Sequence, residues 1–186
     1  MLETSRLKLI PLTYQQVEKF RHLDSRLEDE LGLTRNEREL TVQYRDALAK
    51  YTLPWMKADP DNYLFACVWL IVEKSTNTIA GDIGFKRKAD ENGYIEIGYS
   101  TQPKYRIQGY MTEAIGALIK WAFTHDEVKA VIAETLETNI ASIKVLRNNG
   151  FEDFIYSKPL TPGADLSHDP KIKMIWHKLT KENSTI

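Results

Sequence analysis

The sequence predicts a single α/β (α+β) domain in which helices flank a mixed central sheet of about seven strands. Its 186 residues are the size of one ordinary domain. Short apolar runs typical of strands alternate with helical segments in the order β-α-α-β-β-β-α-β-α-β-β. Hydrophobic residues make up 42% and charged residues 27%, the balance of a soluble globular protein. We therefore expect one domain over residues 1–180, followed by a flexible tail over 181–186.

The first third of the chain predicts one strand and two helices. At residues 6–11, leucines alternate with a lysine, which indicates a strand. Thr13 is placed to cap a helix over residues 15–22. A second helix is predicted over residues 42–51, and Pro54 together with the turn-forming cluster at 58–62 is expected to end this helical region.

The middle of the chain predicts three strands joined by short turns. Apolar, β-favouring runs occupy residues 64–73, 79–87 and 94–100. Polar turn sequences separate them at residues 75–78 and 90–93. Three sequential strands on short turns form an antiparallel meander.

The last third returns to alternating helices and strands. An apolar stripe predicts an amphipathic helix over residues 115–123, and a strand follows at 128–135. Asn139 is placed to cap a helix over residues 139–149, which Gly150 ends. The remaining predicted elements are two strands, at residues 151–156 and 172–179, joined by a loop at 159–170.

Composition argues against several classes of function. The 25 basic and 26 acidic residues give a net charge of -1, without the basic excess that nucleic-acid binding usually needs. The single cysteine, Cys67, forms no intramolecular disulfide or CxxC metal clasp, and the four histidines lack metal-ligand spacing. The first residues have an early acid and lack an apolar core segment, so we expect no signal peptide, and no apolar run approaches the about 20 residues that span a bilayer. We expect a cytoplasmic protein with no metal, nucleic acid or membrane partner.

The segment 100–114 carries the strongest chemical signal. A strand ends there, and a loop containing Arg106 and Gly109 leads into the amphipathic helix. Backbone N–H groups at a helix N-terminus carry partial positive charge, and a glycine lets a ligand approach closely. Lys104 adds a cation, and a further basic run, 86–88, follows an earlier strand. The segment predicts a phosphate or pyrophosphate site, whereas the alternative is an ordinary strand–turn–helix connection.

Several short motifs together resemble the GCN5-related N-acetyltransferase (GNAT) superfamily, specifically its ribosomal-protein-alanine acetyltransferase (RimJ/RimL-like) branch. The matching segments are residues 2–9, 79–85, 96–99, 106–114 and 139–151. Each motif is weak alone, but the ordered set is specific. The resemblance implies a sheet that is splayed between strands 4 and 5, at residues 94–100 and 128–135. It also implies transfer of an acetyl group from acetyl-CoA to a primary amine by direct attack on the thioester.

The resemblance also assigns cofactor-binding residues. The loop 106–111 matches the family's Q/R-x-x-G-x-G/A pyrophosphate site, and backbone groups near Tyr99 and Thr101 would pair with the pantetheine arm. Two positions depart from the family. Met111 replaces the small residue that ends the loop, and Leu146 replaces a tyrosine that protonates the leaving thiolate in many relatives. The full set of candidates is Tyr99, Ser100, Thr101, Arg106, Ile107, Gln108, Gly109, Tyr110, Met111, Thr112, Asn139 and Ser142.

The candidate catalytic residues are Glu96, Ser142 and Tyr99. Glu96, in the strand that would face the thioester, is the first candidate for a base or water-orienting group. Its alternative is an ordinary strand carboxylate, and Glu134 is the second candidate. Ser142 is the nearest replacement for the missing acid, or else a plain first-turn hydroxyl. A backbone N–H near Tyr99 would stabilise the oxyanion.

Two other acids are expected to be structural. Asp82 is interpreted as a turn acid after Gly81, and Glu113 as a first-turn helix acid that the helix dipole favours.

The acceptor amine is left open. At pH 7 roughly one α-amine in ten is neutral, against roughly one lysine in 2,500. A protein N-terminus and a small-molecule amine are both candidates. Substrate selection would fall to residues 20–60, where an acidic stretch at 24–30 would favour a cationic acceptor if it lined the groove. The alternative is a solvated helix face.

A second hypothesis keeps the cofactor site but not the turnover. It is a catalytically weak acyl-CoA-binding module that acts as a sensor or partner subunit. Under either hypothesis we expect a monomer or a homodimer.

Overall fold

The computed structural model of the protein describes residues 1–156 and 173–184. Within them the strands are β1 (Leu2–Glu3), β2 (Leu7–Pro11), β3 (Trp69–Glu73), β4 (Thr78–Phe85), β5 (Tyr94–Thr101), β6 (Ala130–Leu136), β7 (Glu152–Phe154) and β8 (Met174–Thr180). The α-helices are α1 (Tyr14–Arg21), α2 (Arg26–Leu31), α3 (Val42–Ala47), α4 (Leu53–Ala58), α5 (Tyr110–Ala122) and α6 (Ile140–Asn148). A π-helical turn (Leu48–Thr52) joins α3 to α4, and 3₁₀ turns occupy Pro60–Phe65 and Pro103–Tyr105.

The strands form one sheet in the order β1-β2-β3-β4-β5-β6-β8-β7. All neighbours are antiparallel except β5 and β6, which are parallel. Parallel neighbours need a crossover, and the chain makes it through α5. The predicted mixed fold is confirmed. The additional strand is β1, which the pattern of residues 6–11 leaves out because it has only two residues.

The sheet opens between its two central strands. The pairing of β5 with β6 is limited to three register pairs and ends at Glu96 with Ile132. From Ile97 to Thr101, β5 continues to pair with β4. The strands therefore diverge along the second half of β5, and the predicted splay is confirmed.

The helices before β3 differ in part from the prediction. Thr13 caps α1 in a capping box with Gln16, as expected. The helix predicted over 42–51 continues past residue 51 and through Pro54. It ends at Ala58, where the predicted cluster at 58–62 begins. The π-helical turn comes before Pro54, which falls in the first turn of α4, where a helix tolerates a missing N–H. α2 was not specified by the pattern.

Several other boundaries differ from the prediction or lie outside the described residues. The strand predicted over 64–73 starts only at Trp69, because the 3₁₀ turn takes up the residues before it. The predicted loop 159–170, the start of the last strand at Ile172 and the end of the tail lie outside the described residues. The domain boundary at 180 stays a prediction.

Opposite faces of the sheet carry different helices. Trp69 packs against Trp121 of α5, and Tyr99 hydrogen-bonds Ser142 of α6. These two strand residues share one face through the register of β3, β4 and β5. Asp82, the neighbour of Ile83 in β4, points the other way and bonds Tyr44 of α3. We call these two sides the α5–α6 face and the α3–α4 face.

The core lies between the sheet and its helices. α5 buries six residues at helical spacing: Met111, Ala114, Ile115, Leu118, Ile119 and Ala122. Cys67 is buried in this core, and burial raises the pKa of its thiol to about 12. Across the described part of the chain, every helix is too short or too polar to cross a bilayer.

Candidate active site

The gap between β5 and β6 is lined by the backbone of β5. The N–H of Gln102 donates to the carbonyl of Ala80 at 2.9 Å, and the register places Ser100 opposite Asp82. Even-numbered residues of β5 therefore bond to β4. The N–H and C=O groups of Tyr99 and Thr101 point the opposite way, into the gap. An extended ligand can pair with the strand there.

Ser100 faces away from the gap. Its backbone groups are directed to β4, and its hydroxyl donates to Asp82 Oδ1 at 2.6 Å. The Tyr44 hydroxyl donates to Asp82 Oδ2 at 2.6 Å. Burial raises the pKa of Asp82 to about 6, although these two hydrogen bonds act to lower it. Asp82 is thus not the predicted turn acid. It is a buried carboxyl within β4 that ties α3 to the sheet.

The loop between β5 and α5 has an unusual backbone. Gly109 lies in the left-handed region (φ 76°) directly before α5, and no side chain caps the helix. Ile107 also has a positive φ, 61°, which strains a β-branched residue, and its side chain is fully exposed. The first N–H groups of α5 are left for a ligand. The backbone therefore fits an anionic group such as a pyrophosphate.

The other predicted loop residues have distinct surroundings. Arg106 is exposed, and its Nε donates to the carbonyl of Thr101 at 3.3 Å. The amide of Gln108 donates to the carbonyl of Lys104 at 2.8 Å. Met111 is buried in the core, so its side chain belongs to helix packing and leaves the loop open. Tyr110 and Thr112 are half-buried in the first turn of α5.

Sequence reasoning missed one residue at this loop, Arg6. Its Nη1 donates to the carbonyl of Gln108 at 2.9 Å, and its Nε to Glu113 Oε2 at 2.7 Å. Its guanidinium lies over the ring of Tyr110, with Cζ 4.6 Å from the centroid. The motif at residues 2–9 contained Arg6, but nothing in the sequence indicates that this segment reaches a loop a hundred residues later.

Glu113 binds the N-terminal segment. It accepts from Thr4 Oγ1 at 2.5 Å and from the Arg6 backbone N–H at 3.0 Å. Partial burial raises the pKa of Glu113, but the hydrogen bonds from Thr4 and Arg6 outweigh it and lower the pKa to about 2. Its carboxylate therefore stays charged at physiological pH.

α6 brings two candidate catalytic residues together. Asn139 caps the helix by accepting from the N–H of Ser142 at 3.2 Å, as predicted. The hydroxyls of Ser142 and Tyr99 lie 2.8 Å apart. Burial raises the pKa of Tyr99, and the bond to Ser142 opposes that rise. Leu146 is fully buried in the core.

Glu96 lies on the α3–α4 face, beside the start of the gap. It is buried and forms an ion pair with Lys86. Its register partner Ile132 shares its face, and so does Glu134, two residues along β6. Gly98 is next on this face of β5, and open space lies where its Cβ would be. A cavity here is lined by Trp55, Lys86, Arg87, Asp90, Tyr94, Glu96, Ile132 and Tyr156.

The basic run 86–88 lies away from the phosphate loop, and the acidic run 24–30 does not line the cavity beside Glu96. Lys86 and Lys88 follow Phe85, the end of β4 opposite to the phosphate loop, and Lys88 pairs with Asp59 at 3.1 Å. The acids of the 24–30 stretch form ion pairs with nearby bases: Asp24 with Arg26, Glu28 with Arg38, Asp29 with Arg35, and Glu30 with Lys19. This stretch contributes no lining residue to the described cavity beside Glu96.

Metal-binding side chains do not gather in the part of the chain that the structure describes. No group of three or more histidine, cysteine, aspartate or glutamate residues there has the arrangement to hold an ion. The expectation of a metal-free site stays a prediction.

Comparison with known proteins identifies the family. The sequence model of one protein family, the acetyltransferase (GNAT) domain, matches residues 6–152 of this chain. The chain is 31% identical over 151 residues to YjdG of Bacillus subtilis, named as an uncharacterized N-acetyltransferase, covering 81% of this chain and 89% of that protein.

Solved structures share the fold. A GNAT-family acetyltransferase from Bacillus anthracis superposes with a TM-score of 0.62 at 21% identity, covering 97% of this chain and 98% of that one. RimL, a ribosomal L7/L12 α-N-protein acetyltransferase solved with coenzyme A, gives a TM-score of 0.62 at 17% identity, with 95% of each chain covered. The splayed sheet, the uncapped helix after it and the family match lead to one conclusion: this chain is an acetyltransferase that belongs to the GNAT family.

Proposed function

We propose that this acetyltransferase takes its acetyl group from acetyl-CoA and transfers it to a primary amine, either a protein N-terminus or a small molecule. The observation that carries the proposal is the opening between β5 and β6. Backbone groups and the uncapped helix meet this gap from the α5–α6 face, and a buried carboxylate lies on the opposite face. Two substrates can therefore approach one point from opposite sides of the sheet.

The chain's own residues divide the binding task. The N–H groups at the start of α5 and the side chain of Arg106 would hold the pyrophosphate. The backbone of Tyr99 and Thr101 would pair with the pantetheine arm, and Asn139 and Ser142 would border it on the other side. Solved relatives of this fold include RimL in complex with coenzyme A and the acetyltransferase MccE in complex with acetyl-CoA and AMP.

The chemistry assigns three tasks to the residues at the gap. The cosubstrate supplies an acetyl group that is already activated as a thioester. The acceptor must be neutral to attack. Glu96, on the α3–α4 face, would take its proton, directly or through water. The N–H of Tyr99 would stabilise the oxyanion. The paired hydroxyls of Tyr99 and Ser142 are the source of a proton for the leaving thiolate, since Leu146 has none to give.

Acetyl-CoA binding and thiol release test the proposal. We expect saturable calorimetric binding of acetyl-CoA, and release of free CoA thiol that depends on an added amine. The amine panel would contain N-terminal peptides, polyamines, amino acids and aminoglycosides. Binding without thiol release from any amine would favour the weak acyl-CoA-binding module. Failure to bind acetyl-CoA at millimolar concentration would overturn both hypotheses.

The cellular setting of this activity is part of the proposal. A cytoplasmic location and a monomeric or homodimeric state stay predictions.

A further inference from the structure

The turn between β1 and β2 lies against the N-terminus of α5. β1 and β2 pair through Leu2 with Leu9, and the chain closes a tight turn in which the Thr4 N–H donates to the carbonyl of Leu7 at 2.9 Å. Glu113, in the first turn of α5, accepts hydrogen bonds from this turn. The start of the chain is thus attached to the base of the phosphate loop.

Arg6 extends this attachment into the loop itself. One edge of its guanidinium bonds Glu113, and Nη1 bonds the carbonyl of Gln108. Its plane covers Tyr110. Its Nη2 lies 3.4 Å from the position that a Cβ on Gly109 would take. Arg6 therefore contacts three successive loop positions.

The contacted positions lie in the segment 107–110, whose backbone conformation sets the direction of the loop's N–H groups. Ile107 and Gly109 both have positive φ. Glycine adopts this conformation freely, but at the β-branched Ile107 it stores backbone strain that the surroundings must offset. A charged donor to the Gln108 carbonyl fixes the peptide that joins Gln108 to Gly109, between the two residues of positive φ. A planar guanidinium can bond the Glu113 carboxylate and the Gln108 carbonyl at the same time, in fixed directions. A lysine ammonium cannot keep both bonds in that geometry.

We propose that Arg6, held by Glu113, is a positioning residue for the pyrophosphate of acetyl-CoA: it acts through the loop at residues 107–110. This inference rests on the proposed use of acetyl-CoA. It adds the first turn of the chain to the cofactor site, although more than a hundred residues separate the two in sequence.

The Arg6→Ala and Glu113→Gln variants test the proposal. A hydrogen bond with a charged partner is worth about a tenfold change in affinity, so the KM for acetyl-CoA should rise about tenfold or more in each variant. The kcat and the KM for the amine should stay unchanged. Arg6→Lys should behave like Arg6→Ala, because an ammonium cannot keep both bonds. Arg26→Ala, which removes another exposed, ion-paired arginine, is the matched control.

Acetyl-pantetheine separates positioning from a general loss of structure. It lacks the pyrophosphate, so its KM should be the same in the unaltered enzyme and in Arg6→Ala. An equal loss for both thioesters would overturn the proposal, because it would indicate damage to the whole site. Full affinity in Arg6→Lys would also overturn it, since charge alone would then suffice.

A measurement without any ligand keeps this inference apart from the proposed function. Amide hydrogen exchange of residues 106–112 should be faster in Arg6→Ala than in the unaltered protein. Unchanged exchange there would refute the positioning role, even if the protein bound no acetyl-CoA. Absence of binding with faster exchange would instead refute the cofactor assignment and leave the role of Arg6 in the loop standing.

Discussion

The two faces of the sheet meet the gap between β5 and β6 with different kinds of chemical group. The α5–α6 face offers backbone groups from one continuous stretch, 99–112, in a fixed and partly strained conformation. The α3–α4 face offers buried carboxyl side chains from separate strands: Glu96 beside the gap and Asp82 in β4. The first face should therefore respond to changes in backbone conformation. The second should respond to changes in charge.

The largest expected effect comes from the charge nearest the gap. Glu96→Gln keeps the shape but cannot accept a proton, so kcat should fall about 10²- to 10⁴-fold. Acetyl-CoA affinity should be unchanged, because Glu96 lies on the opposite face. Amine-dependent thiol release and calorimetry measure the two quantities. Glu91→Gln, in the exposed turn of the same hairpin, is the control. Normal turnover in Glu96→Gln would remove Glu96 from the mechanism.

A buried ion pair between α2 and the segment before α3 should control stability. Arg38 bonds Glu28 at 2.7 Å, and the two side chains are 3% and 1% exposed. Glu28→Ala leaves the guanidinium buried and unpaired, so the free energy of unfolding should fall by about 3–5 kcal/mol. Glu30 lies in the same helix as Glu28 and pairs at the surface with Lys19 of α1. Glu30→Ala should lower the free energy of unfolding by less than about 1 kcal/mol. Urea unfolding compares them, and equal losses would contradict the contrast between buried and exposed charge.

Asp82, on the α3–α4 face, makes the free energy of unfolding depend on pH. Its pKa is about 6 in the folded protein against 3.8 ordinarily, so the folded state binds the proton more tightly. Its contribution to stability is present below pH 3.8 and is lost as pH rises through about 6, a change of about 3 kcal/mol. Urea unfolding at pH 4 and pH 7 measures how much the free energy of unfolding changes between the two pH values. The Asp82→Asn variant should lack the part of that change that Asp82 contributes. Parallel curves for both proteins would show that Asp82 titrates normally.

The smallest effect should arise from the backbone of the other face. Gly109→Ala places a Cβ at φ 76°, which costs about 1–2 kcal/mol, and acetyl-CoA affinity should fall about 5- to 30-fold. Gly150→Ala introduces the same strain at φ 81°, after α6. It should lower the melting temperature without weakening acetyl-CoA binding. If both variants bound acetyl-CoA equally well, the loop conformation would not matter for the cofactor.

The loop and its helix were predictable because their signal is local. Gly109, the amphipathic stripe of α5 and the cap at Asn139 are short-range patterns, and the structure keeps each in place. The helix end predicted at residue 51 was wrong, because the chain continues through the π-helical turn and Pro54 falls in the first turn of α4. The role of Asp82 was also wrong, since Gly81 and Asp82 read as a turn but lie inside a strand.

The sequence by itself determined the fold class, the family and the stretch of chain that forms the phosphate loop, because periodicity and capping depend on neighbours within a few residues. The tertiary structure alone brings Arg6 to that loop and buries Asp82 in a hydrogen bond with Tyr44. It also pairs Glu28 with Arg38 and leaves the space beside Gly98 unfilled. Each of these facts depends on which distant segments come together, and on how much water they exclude. The acidic stretch 24–30 is an example: the sequence shows its charges, but only the folded structure shows that Lys19, Arg35 and Arg38 pair with them.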